Sequence, residues 1–206
     1  MTNKVLLLFA HPSRHRSEIN DPLFRAAQNL SHITAIDLYQ EYPTYQIDID
    51  REQQQLLAHD IIIFMFPLYW YSTPAILKEW QDLVLEYGFA YGAEGTALKN
   101  KTFFCVTSSG GPESVYQRTG LNHCTIRDLL QPLEQMAHMC GMTYWPPFIL
   151  HGARTALKEH RFSQHLQDWQ HLLSALTSDR VQLNERALRS DKLNDHLSAI
   201  VQEDTP

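Results

Sequence analysis

The chain has 206 residues, of which 44% are hydrophobic and 19% charged, so it can build one sizeable core. Seventeen basic side chains against 23 acidic ones give a formal charge of −6, which disfavours nucleic acid as a partner and a general attraction to anionic lipid. Three widely spaced cysteines without a C-x-x-C motif indicate neither a disulfide framework nor a thiolate metal site. The apolar run at residues 5–10 is too short for a secretion signal or a membrane helix, and we therefore expect a soluble cytoplasmic protein.

Short apolar or β-branched runs alternate with helix-like stretches along the chain. The predicted strands are residues 4–10, 33–38, 61–66, 102–107 and 143–150. The predicted helices are residues 18–30, 51–58, 74–87, 126–140 and 162–175. Because the third strand is apolar at every position, we expect a parallel sheet that is buried on both faces.

This alternation predicts an α/β fold, a three-layer sandwich with a five-stranded parallel sheet of flavodoxin-like order 2-1-3-4-5 between two layers of helices. In that order the fifth strand lies at an edge of the sheet. Pro146 and Pro147 fall within it, and at an edge they remove no ladder hydrogen bond. The predicted domain comprises residues 1–177.

Residues 178–206 form a C-terminal extension of different character. It carries charges of both signs and no strand pattern, while Leu193, Leu197, Ile200 and Val201 recur at helical spacing. A short amphipathic helix is therefore predicted. Whether the extension is a partly frayed tail or docks on a second subunit is left open by the sequence.

In the predicted sheet, the loops after strands one, three and four meet outside the carboxyl ends of the strands, where open α/β folds bind ligands. The first of these loops, residues 11–20, offers hydroxyls, basic side chains and a helix amino terminus to an anion. It contains neither G-x-G-x-x-G nor G-x-x-x-x-G-K-[ST], so a phosphate site here would be of another kind. An ordinary loop capped by Ser17 is the alternative.

The loop after strand three is aromatic. Tyr69, Trp70 and Tyr71 stand between Pro67 and Pro74, which fix the backbone at both ends. Such a loop at the end of a buried strand indicates a planar ligand, and a flavin is the leading candidate. Partly buried rings with hydrogen-bonded polar tips would give the same pattern.

The loop after strand four, residues 107–116, contains Gly110 and Gly111. Paired glycines permit a close backbone approach and leave amide groups free to donate, although a simple turn also uses them. Three chemically unusual loops at one predicted crevice favour a binding site over three separate structural coincidences.

Together these loops resemble those of the flavodoxin-fold NAD(P)H:quinone oxidoreductases, and most of all those of the ancillary subunits of glutathione-regulated potassium-efflux systems. The resemblance covers residues 4–175. It rests on Ala10-His11-Pro12 with Ser17 and Asn20, PLYWYSTP at 67–74, FAYG at 89–92 with GTAL at 95–98, SGG at 109–111 with Tyr116, and CGM at 140–142 followed by PPF at 146–148.

The resemblance implies a bound flavin, FMN or FAD, which is reduced by NAD(P)H and reoxidised by a quinone through flavin N5 in two-electron, ping-pong chemistry. It implies that the first loop lies near the ribityl and phosphate groups, the aromatic loop along the isoalloxazine edge and the third loop at the pyrimidine end. The implied cofactor-binding residues are His11, Ser17, Ile19, Asn20, Pro67, Leu68, Tyr69, Trp70, Tyr71, Ser108, Ser109, Gly110, Gly111 and Tyr116. Backbone donors at the pyrimidine end would stabilise the negative charge that develops there.

The resemblance also implies two catalytic residues, Tyr116 over the substrate site and His123, the histidine nearest to the position that the family uses. A solvated loop histidine is the alternative for His123. No metal site is predicted. His11 and His15 flank Pro12 in a loop, and His160 and His165 have the wrong helical spacing to share an ion.

Two functional hypotheses follow. The first is an NAD(P)H:quinone oxidoreductase; the second is a regulatory ancillary subunit of a membrane potassium/proton antiporter, with a structural or redox-sensing flavin and a peripheral place at the inner face of the membrane. An electron-carrier flavodoxin fits less well, because the first loop is basic and the loop around Tyr116 suggests a substrate pocket. The resemblance further implies a homodimer with its active sites at the subunit interface.

Overall fold

A computed structural model describes residues 2–202 of the chain. Its core is a six-stranded sheet in which every pair of strands is parallel. The strands are β1 (Val5–Phe9), β2 (Ile33–Asp37), β3 (Ile61–Pro67), β4 (Thr102–Ser108), β5 (Thr143–Tyr144) and β6 (Phe148–Leu150). Their order is β2-β1-β3-β4-β5, with β6 also on β4, which confirms the predicted flavodoxin-like α/β fold.

The predicted fifth strand, residues 143–150, is wrong as a single element. β5 pairs with the beginning of β4 and β6 pairs with its end, and the two are separated by Trp145, Pro146 and Pro147. The prolines lack the amide hydrogen that a continuous ladder would use. The predicted strand is therefore divided at residues 145–147 into β5 and β6. The consequence is that the chain after β6 leaves the sheet beside the end of β4.

Helices cover both faces of the sheet. They are α1 (Asn20–Gln28), α2 (Leu38–Glu41), α3 (Ile49–Ala58), α4 (Ala75–Val84), α5 (Ile126–Leu129), α6 (Gln131–Met139), α7 (Ala153–Ala156) and α8 (Arg161–Thr177). Helices α3, α4 and α6 contribute to one buried apolar cluster, while α1 and α8 contribute to a second cluster on the opposite face. The predicted helix 126–140 is two helices, because the backbone turns at Leu130 and Pro132 occupies the first turn of α6.

The C-terminal extension packs on its own domain as far as it is described. It contains α9 (Glu185–Leu188), a 3-10 turn at Leu193–His196 and α10 (Leu197–Ile200). Ala187, Leu193, Ile200 and Val201 are buried in the cluster that α1 and α8 share. Within residues 2–202, no helix is long and apolar enough to cross a membrane.

Candidate functional site

A cleft of about 780 Å³ opens at the carboxyl ends of β1, β3 and β4. Its size is within the range of small-molecule sites in proteins, and all three predicted loops contribute to it. Its walls are formed by His11, Arg16, Ser17, Glu18, Ile19, Asn20, Pro67, Leu68, Tyr69, Trp70, Tyr71, Ser108, Gly110, Gly111, Tyr116, Ala153 and Arg154. The cleft therefore includes every predicted cofactor-binding residue except Ser109.

The first loop forms an anion cradle at the start of α1. The Ser17 hydroxyl accepts from the amides of Asn20 and Asp21, at 3.0 and 3.1 Å, so it caps the helix as the simpler interpretation expected. The amides of Glu18 and Ile19 donate to no group within residues 2–202. Free amides at the positive end of a nine-residue helix suit a phosphate.

Arg16 lies on the rim of the same cradle. Its side chain is exposed and forms no ion pair or hydrogen bond with any residue from 2 to 202. A net charge of −6 gives the protein no general attraction for an anion. This arginine therefore supplies the local positive charge that a phosphate requires.

Asn20 connects the first loop to the end of β4. Its side-chain amide donates to the Ser108 hydroxyl at 2.9 Å, and both residues are buried. The other polar atom of the side chain, Oδ1, is buried with no hydrogen-bond partner among the described residues. A buried acceptor without a donor carries an energetic cost, which marks this position as one to explain.

His11 projects from the end of β1 into the cleft. Its Nδ1 accepts from the amide of Ser13 at 3.1 Å, which leaves the ring proton on Nε2, 3.5 Å from the Tyr69 hydroxyl. Burial lowers the pKa of His11, so the ring is neutral at neutral pH. It can therefore donate from Nε2 toward a group in the cleft.

The aromatic loop is a tight and strained turn. The amides and carbonyls of Tyr69 and Ser72 exchange two hydrogen bonds, at 3.2 and 3.1 Å. Between them Trp70 and Tyr71 both have positive φ angles, 47° and 65°, a combination that turns of this kind usually assign to asparagine and glycine. Trp70 is also 93% exposed, so packing of its ring does not offset the cost of the positive φ.

The third loop lies against the cleft through its glycines. A Cβ atom on Gly110 would come within 3.2 Å of Arg154 Nε, and one on Gly111 within 3.0 Å of a methyl group of Val115. Ser109 is fully buried instead of facing the cleft, and its hydroxyl donates to the carbonyl of Gly111 at 3.0 Å. This bond supports the glycine turn, and the cofactor contact that the resemblance implies for Ser109 stays a prediction.

Tyr116 lies on the wall of the cleft, and its neighbour is His151. The two rings are 5.8 Å apart, and His151 Nδ1 is 3.3 Å from the Ser109 hydroxyl. Burial raises the pKa of Tyr116 and lowers that of His151 to about 4, so both rings are uncharged at neutral pH. His123 is exposed and is not among the cleft residues.

Four cleft residues were missed at the sequence level. Arg16 and Glu18 belong to the first loop, whose basic side chains were expected to meet an anion, although nothing singled out Arg16 among them and nothing pointed to Glu18. Ala153 and Arg154 follow β6, and their loop was not expected at the cleft because residues 143–150 were taken as one edge strand. No cluster of metal-binding side chains occurs among the described residues.

The groups that line the cleft fit a phosphorylated planar cofactor. The cradle at the start of α1 offers free amides and an arginine, Asn20 Oδ1 lacks a donor, and exposed aromatic rings and a glycine turn line the same cleft.

Known proteins share this fold and much of this sequence. Residues 3–173 match the family described as having a flavodoxin-like fold. The glutathione-regulated potassium-efflux system ancillary protein KefG of Enterobacter sp. (strain 638) is 48% identical over 153 residues, which are 74% of this chain and 84% of that protein.

Two solved structures are similar to this one. General stress protein 14 of Treponema denticola, in complex with FMN, is 35% identical with a TM-score of 0.78, over 84% of this chain and 99% of that chain. An NADPH-quinone reductase from P. pentosaceus is 32% identical with a TM-score of 0.74, over 82% of this chain and 97% of that one.

Proposed function

The chain belongs to the family of flavodoxin-like proteins that matches its residues 3–173, and we propose that it is an FMN-dependent NAD(P)H:quinone oxidoreductase. The observation that carries this proposal is the cleft itself, in which an anion cradle, an unpartnered buried acceptor and an aromatic loop line one wall. The similar structure from T. denticola contains FMN, and that from P. pentosaceus is an NADPH-quinone reductase, which supports the cofactor and the reaction class.

Each part of the cleft has a role in holding FMN. The cradle formed by Arg16 and the amides of Glu18 and Ile19 would bind the phosphate. Asn20 Oδ1 would accept from a ribityl hydroxyl, and His11 Nε2 would donate to the same chain. The aromatic loop and the glycine turn would enclose the ring system, as the sequence predicted.

Bound in this cleft, FMN would supply two-electron, ping-pong chemistry between NAD(P)H and a quinone. The protein contributes orientation and proton placement. Amide hydrogens of the turn at Gly110 and Gly111 would be fixed near the pyrimidine end before any charge develops there. The raised pKa of Tyr116 keeps a proton on its hydroxyl at neutral pH, so this group can donate to a quinone oxygen.

His123 is the second catalytic residue that the resemblance implies. It stands on the loop that carries Tyr116, with a positive φ of 55° and an exposed side chain. To take part in the reaction its ring would have to reach the cleft from the outer side of this loop. A comparison of variants at both positions, described in the Discussion, tests the pair.

The decisive experiment is the visible spectrum of the purified protein under anaerobic conditions. We expect a yellow protein that bleaches with NADPH or NADH and regains its colour when a benzoquinone is added. Flavin released by heat and separated by chromatography should be FMN; FAD in its place would correct the cofactor. A colourless protein that cannot be loaded with either flavin would contradict the proposal.

A regulatory subunit of a potassium-efflux antiporter is the second candidate, and the identity with KefG favours it. The two functions can coexist in one protein. Flavin that binds but stays oxidised with both NADPH and NADH would favour the regulatory role. Co-purification with a membrane antiporter, at the inner face of the membrane, would establish the partner, whereas rapid quinone turnover by the isolated chain would show that catalysis needs none.

A homodimer is also part of the proposal. Tyr69, Trp70, Tyr71 and Tyr87 are large and exposed, which is unusual for side chains that serve only a monomer. An apolar groove of about 490 Å³ between α4 and α6 opens on the same part of the surface as Ser72 and Tyr91. Light scattering on the purified chain should give twice the mass of 23.9 kDa.

A further inference from the structure

The C-terminal extension reaches the loop that carries Tyr116, although it lies beyond the part of the chain that matches the family. Lys192 Nζ is 2.5 Å from Glu113 Oε1. Glu113 begins the 3-10 turn that ends directly before Tyr116. The hydrogen bond from Lys192 lowers the pKa of the Glu113 carboxyl, as expected for a formed ion pair.

A second contact holds the chain just after this loop. Arg127, in α5, donates to the carbonyl oxygens of Leu188 and Ser190 in the extension, at 2.8 and 2.5 Å. Its guanidinium also pairs with Glu134 at 2.9 Å, and both side chains are largely buried. The extension therefore contacts the start of the loop through Lys192 and the helix after its end through Arg127.

The extension is itself fixed to the open side of β6. The amide of Leu193 donates to the carbonyl of Pro147 at 2.9 Å, and Asn194 Oδ1 accepts from the amide of Ile149 at 2.8 Å. These bonds satisfy backbone groups that an uncovered edge strand would leave to solvent. Lys192 therefore projects from a segment whose next two residues are anchored to the sheet.

Tyr116 stands between two spaces. One is the candidate flavin cleft, and the other is a cavity of about 330 Å³ whose lining includes Tyr116 and His151 from the domain and Asp191 and Lys192 from the extension. The extension thus forms part of the wall behind the Tyr116 ring. A loop released from Glu113 onward would be free to carry the ring away from the cleft.

We propose that the C-terminal extension holds the loop 113–125 in its place, and that Lys192 is a positioning residue for Tyr116 through Glu113. The effect on catalysis rests on the proposed function, because it assumes that Tyr116 meets the electron acceptor. The mechanical coupling between the extension and the loop does not depend on that assumption.

Charge reversal on the full-length protein tests the coupling. Lys192→Glu and Glu113→Lys each place like charges together, and the double variant restores an opposite pair. Arg189→Glu is the matched control, because it makes the same charge change in the extension. Arg189 directly follows α9 and pairs with Glu185 at 3.8 Å, and within residues 2–202 it forms no ion pair with the loop. The measurement is hydrogen exchange, by mass spectrometry, of the amides in residues 113–125.

We expect each single reversal to raise exchange in the loop roughly twofold to fivefold, the range of one partly exposed ion pair. The double variant should recover part of the protection, because Lys192 also pairs with Asp195 at 3.4 Å and the exchange of charges does not restore that second pair. Arg189→Glu should match the parent. Loop exchange that stays unchanged in both single variants, or a rise confined to residues 178–202, would overturn the proposal.

Kinetics then test the consequence for Tyr116. Lys192→Glu should raise KM for the quinone several-fold, and Lys192→Arg, which keeps the ion pair, should retain the parental value. If the charge reversals raise hydrogen exchange in the loop but the protein reduces no quinone, the coupling is supported and the proposed reaction is rejected. Parental quinone KM in Lys192→Glu, with a loosened loop, would overturn the positioning role.

Discussion

The side-chain amide of Asn20 donates a 2.9 Å hydrogen bond to the hydroxyl of Ser108, and this bond joins the loop after β1 to the end of β4. It also determines the direction of Oδ1, the buried atom without a partner. The unsatisfied atom is thus a consequence of the contact that brings the two loops together.

Replacing this amide by a carboxylate should weaken flavin binding. Asn20→Asp is nearly isosteric, and Ser108 can donate to the new side chain, but the change adds a negative charge beside the proposed phosphate cradle. We expect FMN affinity to fall at least about tenfold, which corresponds to about 1.4 kcal/mol. Fluorescence quenching of FMN by the flavin-free protein measures this. Asn29→Asp, at the exposed other end of α1, should bind FMN as the parent does; equal affinity in both variants would contradict the role of Asn20.

The strained turn leads to a second prediction. Trp70→Ala should lose flavin because the indole is removed, and Trp70→Gly should lose it as well. Glycine also adopts a positive φ without strain. The free energy of unfolding of flavin-free Trp70→Gly should therefore equal that of the parent or exceed it by up to about 1 kcal/mol. Tyr45→Gly is the matched control, since Tyr45 has a φ of 63° and does not line the cleft. Undiminished flavin content in both Trp70 variants would remove Trp70 from the site.

The two proposed catalytic residues should separate in a direct comparison. Tyr116→Phe removes a single neutral hydroxyl, and we expect kcat/KM for the quinone to fall about fivefold, the value of one hydrogen bond near 1 kcal/mol. Because the ring remains, FMN affinity should be unchanged. His123→Gln should leave both quantities at parental values if this histidine only faces solvent. A larger loss in His123→Gln than in Tyr116→Phe would assign the larger catalytic role to His123.

The sequence predicted those parts of the cleft that depend only on residue type and on where the strands end. Apolar runs located the ends of β1, β3 and β4, and the aromatic and glycine loops followed from them. Ser109 could not be distinguished from Ser108 by type, since only the alternation of side chains at the end of β4 turns one toward the cleft and the other into the protein. His151 and Arg154 were missed because their position depends on β6 pairing with the end of β4, and the two prolines concealed that second register.

Glu52, whose buried carboxylate lies in α3, leads to a prediction about stability. Glu52 is fully buried and accepts from the Tyr42 hydroxyl at 2.7 Å and from the indole nitrogen of Trp80 at 2.8 Å. Glu52→Leu leaves both donors without an acceptor, which should lower the free energy of unfolding by about 3 kcal/mol or more. Glu52→Gln keeps an acceptor for Trp80 and should cost no more than about 1 kcal/mol. Urea denaturation measures both, with the exposed Glu79→Leu on α4 expected near the parent.

His165 should make the stability of the protein depend on pH. The ring is buried against Phe148, with centroids 4.4 Å apart, and its Nε2 has no partner among the described residues. Burial lowers its pKa from 6.5 to about 4. Between these values the unfolded chain binds a proton that the folded protein does not, so stability falls as the pH decreases from 6.5 to 4 and this contribution stops changing below 4. The full loss from this group is about 3 kcal/mol.

Replacing the His165 ring by one without nitrogens should therefore make the free energy of unfolding depend less steeply on pH. His165→Phe keeps an aromatic ring against Phe148, and we expect its free energy of unfolding to decline less between pH 6.5 and 4 than that of the parent. Some decline should remain, because burial also lowers the pKa of His151 to about 4. His171→Gln, at an exposed position of the same helix, should keep the parental slope. Denaturant titrations at several pH values measure the difference; parallel curves for His165→Phe and the parent would show that His165 is not the group whose protonation opposes folding.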